Sequence, residues 1–219
     1  MKKILHGVGL VVARALLLFV LGMGVIGEGW LGDDMFKSGW RSVALIVGLL
    51  GVLDVGLILR VGLLGLGKVS LRGLGWRFDR VGRDVALGVA GFALAAGVLI
   101  AALLVTGEHT LPSLGRAIAS YSITERLIYL CIAVFGAALV EESLFRGYLQ
   151  GALTEKIGLA PAIIVQAIVF DLMHMNLRPA SLVVKLVFGI VFGVLRGRDR
   201  SLLAPAVAHG LLWAVIGAP

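Results

Sequence analysis

Two neighbouring carboxylates and two histidines stand inside apolar runs of this sequence, where ionisable side chains are costly in a bilayer. Glu141 and Glu142 lie near the middle of the run Leu127–Leu153. His174 ends a second run, and His209 lies about midway along a third. Because ionisable groups within membrane spans usually face one another, we expect these side chains to form one polar site.

The two carboxylates differ in their local surroundings. Glu142 and Arg146 are spaced i, i+4 with the acid first, which favours an ion pair along a helix. Glu141 is rotated from Glu142 by about 100° on an α-helix and has no local cation. We therefore predict that Glu142 and Arg146 are structural and that Glu141 takes part in proton transfer.

A carboxylate with two histidines supports two kinds of hydrolysis. The carboxylate and one histidine can position and deprotonate a water, while the other histidine donates to an oxyanion that forms on a carbonyl. One Glu and two His are also a ligand set for catalytic zinc. A transporter or proton relay would use the same residues to carry ions. The residues alone leave these alternatives open.

The composition indicates what must hold these side chains in place. Of 219 residues, 59% are hydrophobic and 15% charged, with 31 Gly and 5 Pro. Soluble domains have about 45–50% apolar and about 25% charged residues. An apolar chain rich in glycine and poor in proline fits closely packed membrane helices, so we predict one integral membrane domain over residues 1–219. Soluble enzymes, nucleic-acid binders and secreted disulfide scaffolds are nearly excluded, and Cys131 is the only cysteine.

Seven apolar runs approach the length of about 20 residues that a bilayer-spanning helix needs. No run alternates in the way that a barrel strand requires. We predict an all-α polytopic bundle of about seven transmembrane helices, with a range of six to eight. The runs are Ile4–Gly27, Val43–Leu59, Val85–Val105, Leu127–Leu153, Leu159–Met175, Ser181–Leu195 and Leu202–Ile216.

The basic residues indicate the orientation of this bundle. With the N-terminus inside, the inner segments carry 13 of the 20 Lys and Arg residues and the outer segments carry 5. This bias predicts a cytoplasmic N-terminus, and it explains the net charge of +7 without nucleic acid. Arg14 and Asp54 lie in consecutive runs and are predicted to form a structural ion pair, while Lys185 can snorkel outward.

Three motifs follow one another between Ala137 and Trp213. They are Glu141-Glu142-Ser143-Leu144-Phe145-Arg146 followed by Gly147, then Phe170 to His174, and then Gly189 and Gly193 with a basic turn, Leu202 and His209. In this order and spacing the chain resembles the CPBP family (CAAX proteases and bacteriocin-processing enzymes, also called Abi), which includes the type II CAAX prenyl endopeptidases.

The resemblance implies an intramembrane endopeptidase with a protease-like core at about residues 126–217. It implies that Glu141 activates water, that His174 is its partner and that His209 stabilises the oxyanion. The family has been described both as metalloproteases and as glutamic proteases. We favour a glutamic mechanism without a cofactor, since no further Asp or Glu ligand is available and one carboxylate cannot easily be both ligand and base. Zinc held by Glu141, His174 and His209 is the alternative.

Two residues near this site carry open questions. Where the family often has Asn four residues after the last histidine, this chain has Trp213, whose indole donates but does not accept. Asp171 lies one turn before His174 and either orients its imidazole or is a polar residue near the outer end of the run. The topology places His174 toward the outer face but Glu141 and His209 near mid-membrane, so a shared site needs tilted or broken helices.

The resemblance also implies a membrane-associated protein or peptide substrate that is cut near its C-terminus. The substrate is a prenylated CAAX-type tail, or a bacterial protein with a C-terminal sorting signal or a leader peptide. A small protein with a Lys-Lys start and many Gly and Leu residues looks bacterial. We therefore favour the second class and predict a location in the bacterial inner membrane. The alternative, which Trp213 keeps open, is a non-proteolytic member that acts as a transporter, a scaffold or a bacteriocin-immunity protein.

Overall fold

The computed structural model describes residues 1–27, 53–107, 122, 123, 127, 134–174 and 179–216, and its regular elements there are all helices. The predicted all-α class is therefore confirmed for this part of the chain. In chain order the helices are α1 (Lys2–Gly27), α2 (Asp54–Leu66), α3 (Leu71–Leu74), α4 (Val81–Thr106), α5 (Val134–Leu149), α6 (Gln150–Ile157), α7 (Leu159–Met173), α8 (Pro179–Asp199) and α9 (Leu203–Ile216).

The predicted apolar runs agree closely with α1, α4, α7, α8 and α9. The run Val43–Leu59 lies largely outside the described residues, as does the first part of Leu127–Leu153. Helix α2 continues past the predicted end at Leu59, because Arg60 turns to an exposed position and its charge need not end the helix.

One helix in the described ranges, α4, is long and apolar enough to cross a bilayer, judged by length and composition. Shorter apolar helices cover Val55–Leu66, Leu159–Met173 and Leu203–Ala214. The number of about seven transmembrane helices therefore stays a prediction.

Helix α5 is the centre of the bundle, and it contacts α1, α2, α3, α6, α7, α8 and α9. Its backbone is a π-helix, in which hydrogen bonds run from residue i to i+5, and α6 continues it as an α-helix. Because each turn of a π-helix holds more residues than an α-helical turn, neighbouring side chains are separated by less than about 100°. This geometry applies to the whole segment Glu141–Arg146.

Glycines allow α8 to approach α7 closely. A methyl group added at Gly189 would lie 2.7 Å from Cβ of Ala167, and one added at Gly193 would lie 2.8 Å from Nε2 of Gln166. Gly189 and Gly193, one turn apart on α8, are thus the small residues that let these two helices approach closely.

Two buried glutamine amides bind the backbone that these glycines expose. Gln166 of α7 donates to the carbonyl oxygen of Gly189 at 2.8 Å, and Gln150 of α6 donates to that of Gly193 at 2.9 Å. Both glutamines are thereby supplied with a partner in the apolar interior, and α8 is joined to two neighbouring helices by hydrogen bonds.

The segment between α2 and α4 packs against α5 and against the residue that precedes α9. The Trp76 indole donates to the hydroxyl oxygen of Ser143 at 2.9 Å, and the backbone N–H of Leu202 donates to the carbonyl of Gly75 at 2.8 Å. Gly75 has a φ of 112°, which suits glycine, and Leu74 beside it is fully buried. This segment therefore connects α5 to the start of α9.

Candidate active site

Glu142 is the central hydrogen-bond acceptor of the site. Its Oε1 accepts from Nη1 of Arg146 at 3.1 Å and from Nδ1 of His209 at 2.8 Å. The side chains of Glu142 and Arg146 have no exposed surface. The predicted ion pair is therefore confirmed, and the contact with His209 is a feature that the sequence did not reveal.

Arg146 lies among three aromatic rings. Its guanidinium carbon is 4.2 Å from the centroid of the Phe170 ring, 5.2 Å from that of Phe192 and 6.0 Å from that of Phe145. Cations over aromatic faces are stabilised by the ring quadrupole, more so when water is excluded. The rings and Glu142 together allow a buried positive charge in an apolar bundle.

Glu141 is paired with a cation from the first helix. Its Oε1 lies 2.9 Å from Nη1 of Arg14, and both side chains are almost completely buried. The expectation that Glu141 has no cationic neighbour holds along its own helix and is wrong across helices. The side chain of Asp54, the predicted partner of Arg14, lies outside the described residues.

The His209 ring presents one nitrogen to each carboxylate. Its Nδ1 donates to Glu142, and its Nε2 lies 3.8 Å from Oε2 of Glu141, too far for a direct hydrogen bond. Among the described residues, this Oε2 atom has no hydrogen-bond partner. The α-helical offset of about 100° predicted separate roles on separate faces. The π-helix instead turns both carboxylates toward one imidazole.

His174 joins this group through Phe170. It follows the last residue of α7, and its Nδ1 donates to the Phe170 carbonyl at 2.7 Å. The Phe170 ring lies 4.7 Å from the His174 ring and 6.3 Å from the His209 ring, centroid to centroid. The charges of Glu141 and His174 interact. The imidazole folds back to the carbonyl one turn earlier on its own helix, and from there its charge interacts with that of Glu141.

Asp171 and Trp213, which were predicted to support the site, lie on α7 and α9. Asp171 is buried, and its charge interacts with Lys185 of α8, whose Nζ donates to the Ser181 hydroxyl at 2.7 Å. The Phe170 carbonyl, and not Asp171, accepts the hydrogen bond from Nδ1 of His174. Trp213 is half-buried on α9, one turn beyond His209.

The zinc alternative would use Glu141, His174 and His209 as ligands. Within the described ranges, no three His, Cys, Asp or Glu side chains are grouped to hold a metal ion. The Nδ1 atoms of both histidines donate hydrogen bonds, and a guanidinium already contacts Glu141. A divalent cation at that carboxylate would be repelled by the Arg14 charge in a medium of low dielectric constant.

A comparison with known protein families agrees with the motifs. Residues 123–215 match the family model described as "Type II CAAX prenyl endopeptidase Rce1-like". This match confirms the predicted resemblance, and it supports at family level an integral membrane protease of the CAAX type. No curated protein and no solved structure matches the chain. Arg14 and the rest of α1 lie outside the matched residues.

Proposed function

We propose that this chain, whose residues 123–215 carry a domain of the type II CAAX prenyl endopeptidase family, is an intramembrane endopeptidase. It hydrolyses a peptide bond near the C-terminus of a membrane-associated protein. One observation carries the proposal. A buried carboxylate oxygen without a partner in the described residues, Oε2 of Glu141, lies 3.8 Å from Nε2 of His209, whose Nδ1 is bound to Glu142.

Glu141 is the general base in this mechanism. A water that contacts Oε2 gives up a proton to the carboxylate as its oxygen attacks the scissile carbonyl carbon. The protonated carboxyl then donates that proton to the leaving amine as the C–N bond breaks, which regenerates the carboxylate. Arg14 engages Oε1 and thus supports Oε2 as the reacting oxygen.

His209 is the proposed oxyanion donor. Its Nδ1–H is held by Glu142, which fixes the ring orientation and stabilises a positive charge on the imidazole. In the protonated ring, Nε2–H then donates to the negative oxygen of the tetrahedral intermediate. Glu142 therefore has two tasks in this proposal, to neutralise Arg146 and to orient His209.

His174 is the proposed partner of Glu141 in holding the water. Since its Nδ1–H donates to the Phe170 carbonyl, the neutral ring has an acceptor at Nε2. An acceptor beside the base can bind the second hydrogen of the water and aim its lone pair at the carbonyl carbon.

The proposed mechanism is glutamic and needs no cofactor. The Arg14–Glu141 contact supports it, because the guanidinium already neutralises the carboxylate that a zinc ion would need. Zinc bound by Glu141, His174 and His209 is the alternative, and a chelator distinguishes the two. A site for metal requires deprotonated ligands and loses activity when a strong chelator removes the ion.

The proposed substrate is a bacterial membrane-associated protein with a C-terminal sorting signal or a leader peptide. A prenylated CAAX-type tail, the substrate that the family description names, is the second class. The proposed location is the bacterial inner membrane with a cytoplasmic N-terminus. Comparing protein C-termini in membranes with and without the enzyme separates these classes, because each leaves different new ends.

Substitution of Glu141 by Gln in the purified protein tests the function. Gln keeps the shape of the side chain but removes the base, so we expect the rate of cleavage of a substrate that the wild type cuts to fall by at least about 10²-fold. Glu155→Gln is the matched control, since Glu155 is exposed and lies at the end of α6. Activity that survives a strong chelator supports the glutamic mechanism, and loss that added zinc reverses supports the alternative.

Two results would count against the assignment. If Glu141→Gln retains full activity while Glu142→Gln abolishes it, the two carboxylates have the opposite roles. If membranes that lack the protein show no difference in C-terminal ends, the non-proteolytic alternative with transport, scaffold or immunity function gains the advantage.

A further inference from the structure

We propose that helix α1 is a component of the active site and that Arg14 is a positioning residue for the general base. This inference rests on the proposed endopeptidase function and deepens it. Helix α1 lies outside residues 123–215, so the family match assigns it no part in the site. The argument comes from three polar contacts along α1 and from the atoms that Arg14 touches.

Helix α1 runs antiparallel to α5 and α6 and is joined to them by three polar contacts. They are Lys3 with Glu155 at 3.7 Å, Nδ1 of His6 with the Tyr148 hydroxyl at 2.8 Å, and Arg14 with Glu141 at 2.9 Å. The partners Glu155, Tyr148 and Glu141 are seven residues apart, whereas Lys3, His6 and Arg14 are three and eight residues apart. The contacts of α1 therefore extend from its exposed end to the catalytic carboxylate.

The middle of this surface is closely packed. A methyl group added at Gly7 would lie 3.3 Å from Cδ1 of Tyr148, and Val11, one turn farther along, is buried. Small residues at a helix crossing allow the backbones to approach each other. A side chain between two such helices then has a shorter distance to cross before it meets its partner. Arg14, at the next turn, is only 4% exposed and projects into the site.

Arg14 touches two of the elements that carry catalytic residues. Its Nη1 lies 2.9 Å from Oε1 of Glu141 and 3.6 Å from Sδ of Met173, the residue before His174. An ion pair with one carboxylate oxygen fixes the rotation of the carboxyl group, so the other oxygen is the one presented to His209. We infer that Arg14 selects the reacting oxygen and holds the end of α7 beside it.

The kinetic test compares Arg14→Lys and Arg14→Met with the wild type in cleavage of one substrate. Loss of a positioning group affects kcat more than KM, so Arg14→Met is expected to lower kcat about 10–100-fold with KM changed less than about threefold. Arg14→Lys keeps the charge and is expected to retain more activity than Arg14→Met. Lys2→Met removes an exposed charge on the same helix and is the control, with unchanged kcat.

Two readouts separate positioning from folding. In Arg14→Ala, millimolar methylguanidinium is expected to restore part of kcat, whereas a misfolded protein would not respond. A hydrophobic carbodiimide reacts with protonated carboxyl groups, so its modification of Glu141, read by mass spectrometry, is expected to be several-fold faster in Arg14→Met than in wild type.

Wild-type kcat in Arg14→Met, or unchanged carbodiimide labelling of Glu141 in that variant, would overturn the role of Arg14. The labelling experiment needs no substrate. If the wild type cleaves nothing but labelling of Glu141 still depends on Arg14, the endopeptidase function fails while the positioning contact stands.

Discussion

The substitution Glu142→Gln tests whether the buried carboxylate has both a structural and a catalytic task. Glu142 and Arg146 are fully buried, and Oε1 of Glu142 accepts from both Arg146 and His209. Gln keeps a carbonyl oxygen that can still accept but leaves the Arg146 charge without a counter-charge. Breaking a buried pair in this way costs about 3–5 kcal/mol, and the remaining acceptor places this variant at the lower end.

This cost gives a measurable change in thermal stability. For a chain of this length, 1 kcal/mol corresponds to about 2–4 °C, so a loss of about 3 kcal/mol lowers Tm by about 6–12 °C. The measurement is thermal unfolding of the purified protein in one detergent, with all variants scanned at the same rate. Glu155→Gln removes a pair whose side chains are 60% and 64% exposed, and exposed pairs contribute about 0–1 kcal/mol.

A double variant separates the two tasks of Glu142. Replacing a buried ion pair by uncharged side chains of similar volume is often neutral or stabilising, so Glu142→Gln with Arg146→Met is expected to recover most of the lost Tm. Activity is expected to stay about 10–100-fold below wild type, because His209 has lost the carboxylate that orients it. Unchanged Tm in Glu142→Gln, or an equal drop in Glu155→Gln, would refute the reasoning. Recovery of both Tm and activity in the double variant would refute the catalytic part.

Two further substitutions test the packing that holds the site. Gly189→Ala places a methyl group 2.7 Å from Cβ of Ala167 and is expected to lower Tm, with a cost of about 1–3 kcal/mol, whereas Gly151→Ala, where no atom lies within 4 Å of the added methyl, is expected to leave Tm unchanged or raise it. Equal Tm values for the two alanine variants would contradict the close approach of α7 and α8. Trp76→Phe removes the 2.9 Å hydrogen bond to Ser143 and is expected to cost about 1 kcal/mol in the same unfolding assay, and a wild-type Tm would show that this bond does not stabilise α5.

The sequence predicts best what depends on local spacing. Apolar runs predicted α1, α4, α7, α8 and α9, because the backbone of an apolar run in lipid can satisfy its hydrogen bonds only as a helix or in a closed barrel, and no run alternates as a barrel strand does. The i, i+4 spacing predicted the ion pair of Glu142 and Arg146, since the π-helix still leaves these side chains within 3.1 Å. Three motifs predicted the family that the match over residues 123–215 confirms.

The sequence did not reveal features that depend on backbone register or on distant contacts. Hydrophobic pattern does not distinguish a π-helix from an α-helix, so the shared orientation of Glu141 and Glu142 toward His209 was missed. The contact of Arg14 with Glu141 joins residues 127 positions apart in the chain. The sequence did contain a signal for this pair, because an Arg and a Glu in apolar runs each need a counter-charge. It was missed because Asp54 lies in the next run and is a nearer partner for Arg14 along the sequence.

The hydrogen bonds from Gln166 and Gln150 to the backbone of α8 limit how far this helix can move along its axis. Apolar helices in lipid slide past one another at little cost, because every displaced methyl group finds another apolar neighbour. Gln166 and Gln150 bind two backbone carbonyls one turn apart, and sliding α8 along its axis by about 1.5 Å, the rise of one residue, would move both carbonyls away from their amides. Both hydrogen bonds would weaken together, and Gln166 would keep only its bond to the carbonyl of Ile163. The two bonds therefore favour the axial setting of α8 in which Phe192 contacts both His209 and Arg146.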